Sequence, residues 1–292
     1  GGRVLLLGTP AEEGGGGKIL MARAGAFDGV DAAMMVHPAG DDLARMEVIA
    51  VQEVTATYRG RAAHAAAFPH EGRNALDAAV LGYLNVAALR QHIRPDERIH
   101  GIFTAGGDKP NIVPATAVTE WMVRSTSIAT LGPLKARVAA CLEAGAAAAG
   151  CEVTLAWKPV VYADMLDNDA MIGAYAANAA ALGRTVAEPG PDASVVGSTD
   201  MGNVSYLVPS IHPMIAAAPT GVPIHTTDFA GHARGPGGDR AVVDGALALA
   251  WTVADLWADE ALLGRVQAEF AATVARVGEA ARRSAIDEVT GA

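Results

Sequence analysis

Charge, aromatic rings and cysteine are all scarce in this chain. Only 18% of its 292 residues are Asp, Glu, Lys or Arg, and only 5% are Phe, Trp or Tyr. The few charges lean acidic, to a net −10 and a pI near 5.2. That balance argues against a nucleic-acid backbone or an anionic membrane as partner. The two cysteines, Cys141 and Cys151, sit in no metal-type pair. They read as free thiols in a reducing compartment, so a cytoplasmic location is expected. No basic segment followed by an apolar stretch marks a secretory signal. The longest run without Asp, Glu, Lys or Arg lies between Asp200 and Asp228 and carries several prolines, Asn203, His212 and His225. Such a run is a poor membrane span, and buried strands and loops around a site are expected there.

What is present divides into three textures. Val4–Leu7 is fully apolar and predicts a buried parallel strand. A loop from Gly8 to Gly17 follows, then a helix over Lys18–Phe27, then a second buried strand over Ala32–Val36 that ends at His37-Pro38. Strand, helix, strand with loops at one edge is the α/β pattern, and sites collect at that edge. From about Met46 the pattern changes: strand over Val48–Tyr58, helix over Asn74–Gln91, strands over Ile99–Thr104 and Thr116–Ser127, helix over Gly132–Ala149 and strand over Cys151–Trp157. That order predicts a small α+β sandwich of the ferredoxin-like type. After about Val160 the α/β texture returns, with helices over Asp169–Leu182, Asp239–Leu256 and Glu260–Ala281 and buried strands over Val204–Val208 and Met214–Ala218. One domain, residues 1–44 and 160–292, is thus expected to be interrupted by another, residues 45–159.

Chemistry-bearing residues fall at the predicted strand ends. Glu12 and Glu13 are adjacent carboxylates on a loop after a buried strand, followed by four glycines. Neighbouring side chains in extended backbone point different ways, so one carboxylate can hold a metal while the other faces substrate and moves a proton. An alternative is a polar turn whose acids favour a helix start. His37 closes the next predicted strand at the same edge, and a neutral imidazole is a common ligand of zinc-like ions. His225 ends a loop rich in glycine and proline ahead of a helix. In the inserted domain, His64, Asn111 and Arg124 offer an oxyanion donor, a polar contact and a fork for a carboxylate, against the plainer readings of a surface histidine, a turn asparagine and a solvated arginine.

In this order, Gly8-Thr9-Pro10-Ala11-Glu12-Glu13-Gly14-Gly15-Gly16-Gly17-Lys18, Met35-Val36-His37-Pro38, Ser198-Thr199-Asp200-Met201-Gly202-Asn203-Val204-Ser205 and Val208-Pro209-Ser210-Ile211-His212-Pro213 resemble the di-metal family that includes aminoacylase, glutamate carboxypeptidase and the amino-acid-conjugate amidohydrolases. The last two stretches are most similar to the β-alanyl-lysine dipeptidase and aminobenzoyl-glutamate hydrolase group. The resemblance implies a zinc-peptidase-like α/β catalytic domain, a mixed sheet flanked by helices, with an inserted ferredoxin-like lid and dimerisation domain. It implies two divalent ions (zinc, with manganese or cobalt as alternatives) and hydrolysis of the amide bond of an N-acyl amino acid or dipeptide. Carried over, Glu12 is the general base and acid; Glu13, His37 and His225 are metal ligands. His64 holds the oxyanion in a partner subunit's site, and Asn111 and Arg124 contact substrate. Asp200 and His212 are supporting. A homodimer through the inserted domain is implied. The rival reading is a non-catalytic or heteromeric-subunit homologue that binds peptide-like ligands. The family's earliest motif, a histidine with a cysteine or aspartate nearby, has no counterpart ahead of Glu12. An N-terminally truncated chain with weak metal binding and little or no activity is therefore expected, whereas the full-length parent protein should be active.

Overall fold

The computed structural model describes residues 2–190 and 196–286. They form two compact units, one of residues 2–48 and Asp164–Ile286, the other of Ile49–Ala163.

The first unit opens with α1 (Gly17–Arg23), β1 (Ala33–Met34), β2 (His37–Ala39) and β3 (Glu47–Val48). The chain then builds the second unit from β4 (Ala50–Arg59), α2 (Ala75–Leu89), β5 (Arg98–Ala105), β6 (Thr116–Ser125), α3 (Ile128–Ala148) and β7 (Glu152–Trp157). It returns with α4 (Asp169–Ala181), β8 (Val196–Gly197), α5 (Met201–Ser205), β9 (Ser210–Ile211), β10 (Met214–Ala216), α6 (Thr227–Ala233), α7 (Pro236–Ala258) and α8 (Glu260–Ile286).

The second unit has one antiparallel sheet in the order β5-β6-β4-β7. With β-α-β-β-α-β connectivity, that order is the split β-α-β arrangement. Alternation along β6 explains its two faces: Ala117, Thr119, Trp121, Val123 and Ser125 are buried, while Glu120 and Met122 are exposed. Tyr58, Val86, Trp121 and Leu142 fill the core between sheet and helices. Both helices begin on side-chain caps, Asn74 accepting from Leu76 and Asp77 backbone N–H groups and Ser127 accepting from Thr130 N–H.

Among the described residues of the first unit there are three short parallel ladders: β1 with β9, β2 with β10, and β3 with β8. Met171, Tyr175, Ile211, Ala248, Leu256 and Val266 belong to one buried cluster of this unit. Helix α7 turns Ala241, Gly245, Ala248, Thr252 and Leu256 inward, the three-and-four spacing of a core-facing stripe. Among the described residues it is also the one helix long and apolar enough, by length and composition, to cross a membrane.

Several sequence expectations need correction. Val4–Leu7 is not a strand; Val4, Leu5 and Leu6 are exposed, Leu6 by 98%. An apolar run encodes a tendency to be buried, but a strand also requires a neighbour to accept its hydrogen bonds, and none pairs with it among the described residues. The strand over Val204–Val208 is replaced by α5 and the turn after it. Met201, Val204 and Val208 pack together with Phe27, and their spacing of three and four is helical. The helix after Gly17 stops at Arg23, where a turn leads into Gly25, whose φ is 81°. The single strand over Ala32–Val36 is two short ones, so His37 begins β2 and does not end a strand.

A half-buried carboxyl gives this unit a pH signature. Burial pushes Asp167 up to about 6, with Arg45 beside it pulling down and Asp169 and Glu188 pushing up. A folded pKa above the unfolded one contributes stability that is complete below about pH 4 and is lost as pH rises through about 6. The Asp167→Asn variant should therefore gain on the wild type as pH rises from about 4.5 to 7.5, by up to about 2 kcal/mol of unfolding free energy. Urea unfolding of both proteins at the two pH values checks this; a difference that stays flat contradicts it.

Candidate active site

The carboxylate pair sits in a turn whose shape is dictated by backbone. Ala11 has φ of 61°, Gly15 N–H donates to Ala11 O at 2.9 Å, and Gly16 has φ of 58°. A side chain at Gly17 would run into the Pro10 carbonyl. Glycine is therefore favoured at 16 for its left-handed backbone and required at 17 for a close approach. The turn delivers Glu12 half-buried and Glu13 exposed, directly ahead of α1. Gly16 supplies no side-chain cap; Asp200 takes that role from afar. Its Oδ2 accepts the Lys18 backbone N–H at 2.9 Å and its Oδ1 pairs with Lys18 Nζ at 2.8 Å, both side chains buried. One carboxylate thus satisfies an orphan donor of the helix start and a buried ammonium.

His225 is brought to Glu13: Nδ1 lies 3.8 Å from Glu13 Oε1. Its φ of 63° is left-handed, a conformation costing a non-glycine residue about 1 kcal/mol or more. The following Thr226 caps α6, accepting from Phe229 N–H at 3.1 Å. The chain leading to this loop is anchored through Asp42, whose Oδ1 accepts Ala216 N–H at 2.8 Å and pairs with Arg184 at 2.9 Å.

His37 has a different neighbour. Its Nδ1 lies 2.8 Å from the Pro38 carbonyl; the carbonyl can only accept, so Nδ1 carries the proton and Nε2 keeps its lone pair. Such a tautomer is the one that zinc-binding imidazoles adopt. The His212 ring stands 5.6 Å from it, centroid to centroid, tilted by 53°. His212 is 2% exposed and neither ring nitrogen has a hydrogen-bond partner among the described residues. Burial, with His37 and Lys18 adding to it, pushes its pKa down to about 3. A buried polar group left unsatisfied costs about 1–3 kcal/mol.

The expected convergence of Glu13, His37 and His225 is not formed: no group of three or more His, Cys, Asp or Glu able to hold a metal occurs among the described residues. Glu13 pairs with His225, and His37 with His212. Glu13 and His225 side chains are 76% and 63% exposed, so packing does little to set their rotamers. The donors nonetheless have the right chemistry: imidazole nitrogen and carboxylate oxygen suit zinc-type ions.

In the second unit, His64 and Asn111 lie on two loops joined by backbone hydrogen bonds, Ala65 N–H to Asn111 O at 3.0 Å and Val113 N–H to Ala63 O at 3.0 Å. Asn111 is exposed and His64 half-buried. His64 Nδ1 accepts the Ala67 N–H at 3.2 Å, which leaves Nε2 as the donor. Arg124 is half-buried on β6, opposite Val51 and Arg98. Burial pushes its guanidinium down while Glu53 draws it up. Burial and the charges of Arg124, Arg90 and Arg98 push the His100 imidazole down, so this strand face is locally basic in an acidic protein.

Lys18, Asp200 and His212 carry more of the geometry than sequence reasoning assigned to them. A signal for His212 was present: it opens a second His-Pro dipeptide, His212-Pro213, matching His37-Pro38.

Residues 1–229 match the model of peptidase family M20/M25/M40. The Xaa-Arg dipeptidase of Mus musculus is 40% identical over 269 residues, covering 92% of this chain and 62% of that protein. One of the p-aminobenzoyl-glutamate hydrolase subunits of Escherichia coli K12 is 28% identical over 323 aligned positions, 92% of this chain and 67% of that one. The chain therefore spans less than two thirds of the mouse protein's length. Among solved structures, an aminobenzoyl-glutamate utilization protein from Klebsiella pneumoniae superposes with a TM-score of 0.61 at 22% identity, over 80% of this chain and 57% of that one. A dinuclear metal binding peptidase from Bacillus subtilis superposes with a TM-score of 0.59 at 17% identity, over 84% and 63%. These likenesses establish the α/β fold of such peptidases for the chain.

Proposed function

The chain belongs to peptidase family M20/M25/M40, and we propose from this that it works in the metal-dependent hydrolysis of the amide bond in dipeptides or N-acyl amino acids. The observation that supports the reading most directly is the Glu12-Glu13 turn ahead of α1, with His225 drawn 3.8 Å from Glu13. Glu13, His37 and His225 would hold two divalent ions, zinc or its manganese and cobalt substitutes. Bound ions of this kind polarise a carbonyl and acidify water.

The remaining chemistry falls to side chains. Glu12, half-buried in its turn, accepts a proton from the attacking water and returns it to the departing amine nitrogen. His64 donates from Nε2 to the oxygen of the tetrahedral centre, in the site of a second subunit. Removing such a donor costs about 100- to 1,000-fold in rate. Arg124 binds the substrate carboxylate and Asn111 supplies a second polar contact. Residues 45–159 act as lid and dimerisation domain. Exposed Ile102 on the edge strand β5, and Leu84 on α2 beside the stacked Tyr83–Phe103 pair, are apolar groups suited to burial in a homodimer, whose mass light scattering reads.

The relatives' names set the first substrates to try. The full-length protein with added zinc or manganese is offered dipeptides ending in arginine or lysine, p-aminobenzoyl-glutamate and a series of N-acyl amino acids. Metal-dependent release of free amino acid from at least one class is expected. No cleavage of any, with zinc bound, would remove the hydrolase reading.

A further inference from the structure

The His37–His212 pair is a feature that the proposed roles leave unused. It arises from strand register. Met34 stands opposite Ile211 and His37 opposite Met214 on parallel strands. His212 is therefore level with Met35, two residues from His37 and on the same face. Backbone bonds from Met35 N–H to Ile211 O at 3.3 Å and from His37 N–H to Pro213 O at 2.9 Å hold the two segments together between the ladders. The rings consequently meet at 5.6 Å. Neither approaches the other as a hydrogen-bond partner, since both His212 nitrogens are without one.

We infer that His212 is a metal-binding imidazole, which together with His37 holds one divalent cation of the zinc type. Three observations carry this. His212 is almost completely buried with two ring nitrogens unsatisfied, a condition that native interiors avoid unless a ligand answers it. His37 already directs its protonated Nδ1 at the Pro38 carbonyl, leaving Nε2 as the donor. Two imidazoles on one tetrahedral ion, with metal–nitrogen bonds of about 2.1 Å, have centroids about 5 Å apart, close to the separation found. A purely structural histidine in this position would be expected to donate to a carbonyl or carboxylate, and it does not.

The inference rests on the metal-dependent reading of the site, and the experiment separates the two. Histidine is labelled with 15N in the whole chain, and the ring nitrogens are followed as zinc chloride is added. The His37→Gln and His212→Gln variants assign the signals. The expected result is that His37 and His212 move together to metal-bound shifts at the same zinc concentration. If His37 moves and His212 does not, the inference is overturned while the hydrolase reading stands. If neither moves, both His212 and His37 lose their metal role. In parallel, His212→Gln should raise the dissociation constant for zinc by about 10- to 100-fold, with the circular dichroism and melting temperature of the apo protein retained. A folded variant with unchanged zinc affinity would count equally against it.

Discussion

Replacing Glu12 with glutamine is expected to lower kcat by about 100- to 10,000-fold while zinc content stays at the wild-type level. The substitution is isosteric, so the turn closed by Gly15 N–H on Ala11 O keeps its shape. What disappears is the capacity to take up a proton and release it to the leaving nitrogen. Glu12 and Glu13 are adjacent, yet one is half-buried and the other exposed towards His225, so the same change at Glu13 should have the opposite signature. Glu13→Gln should weaken zinc binding first and lose turnover as a consequence. Paired metal analysis and steady-state rates on the two variants distinguish these roles. A Glu12→Gln protein within about tenfold of wild-type kcat would remove Glu12 as the base.

The second large effect concerns the buried ion pair. Truncating Asp200 to alanine leaves Lys18 Nζ buried without its carboxylate and the Lys18 backbone N–H without its acceptor. Breaking one partner of such a pair costs about 3–5 kcal/mol, which in a protein of this size lowers the melting temperature by about 10 °C. Removing both charges at once, in Lys18→Met/Asp200→Leu, should recover the part of the loss due to the stranded ammonium, because an apolar replacement of a buried pair is often neutral, while the backbone N–H of residue 18 still lacks its acceptor. A single variant that melts within about 2 °C of wild type would show that the pair contributes little. Because Asp200 holds the first turn of α1, the Glu12-Glu13 turn should loosen with it, and zinc affinity of Asp200→Ala measured below its melting point should fall as well.

Much of this molecule could be read from residue patterns. The inserted unit was legible almost element by element, because alternation along β4 and β6 and the helical runs of α2 and α3 have periods that differ. It spans Ile49–Ala163. The Glu-Glu turn, the His-Pro dipeptide at 37 and the loop before His225 were likewise visible, because glycine and proline announce backbone that only they adopt.

What the linear pattern determined, then, was where chain direction changes and which residue types arrive at each change. Only the tertiary structure decided which of those residues meet. Val4–Leu7 has the composition of a strand but no partner among the described residues, whereas Val204 and Val208 look like a strand and pack as a helical face. Lys18 and Asp200 are 182 residues apart, and His37 and His212 face each other only through the register of two parallel strands. The reason is physical. Periodicity and turn chemistry act over a few residues, within reach of local sterics. Long-range pairing is set by burial and hydrogen-bond satisfaction, which depend on the whole packed chain and leave no local mark.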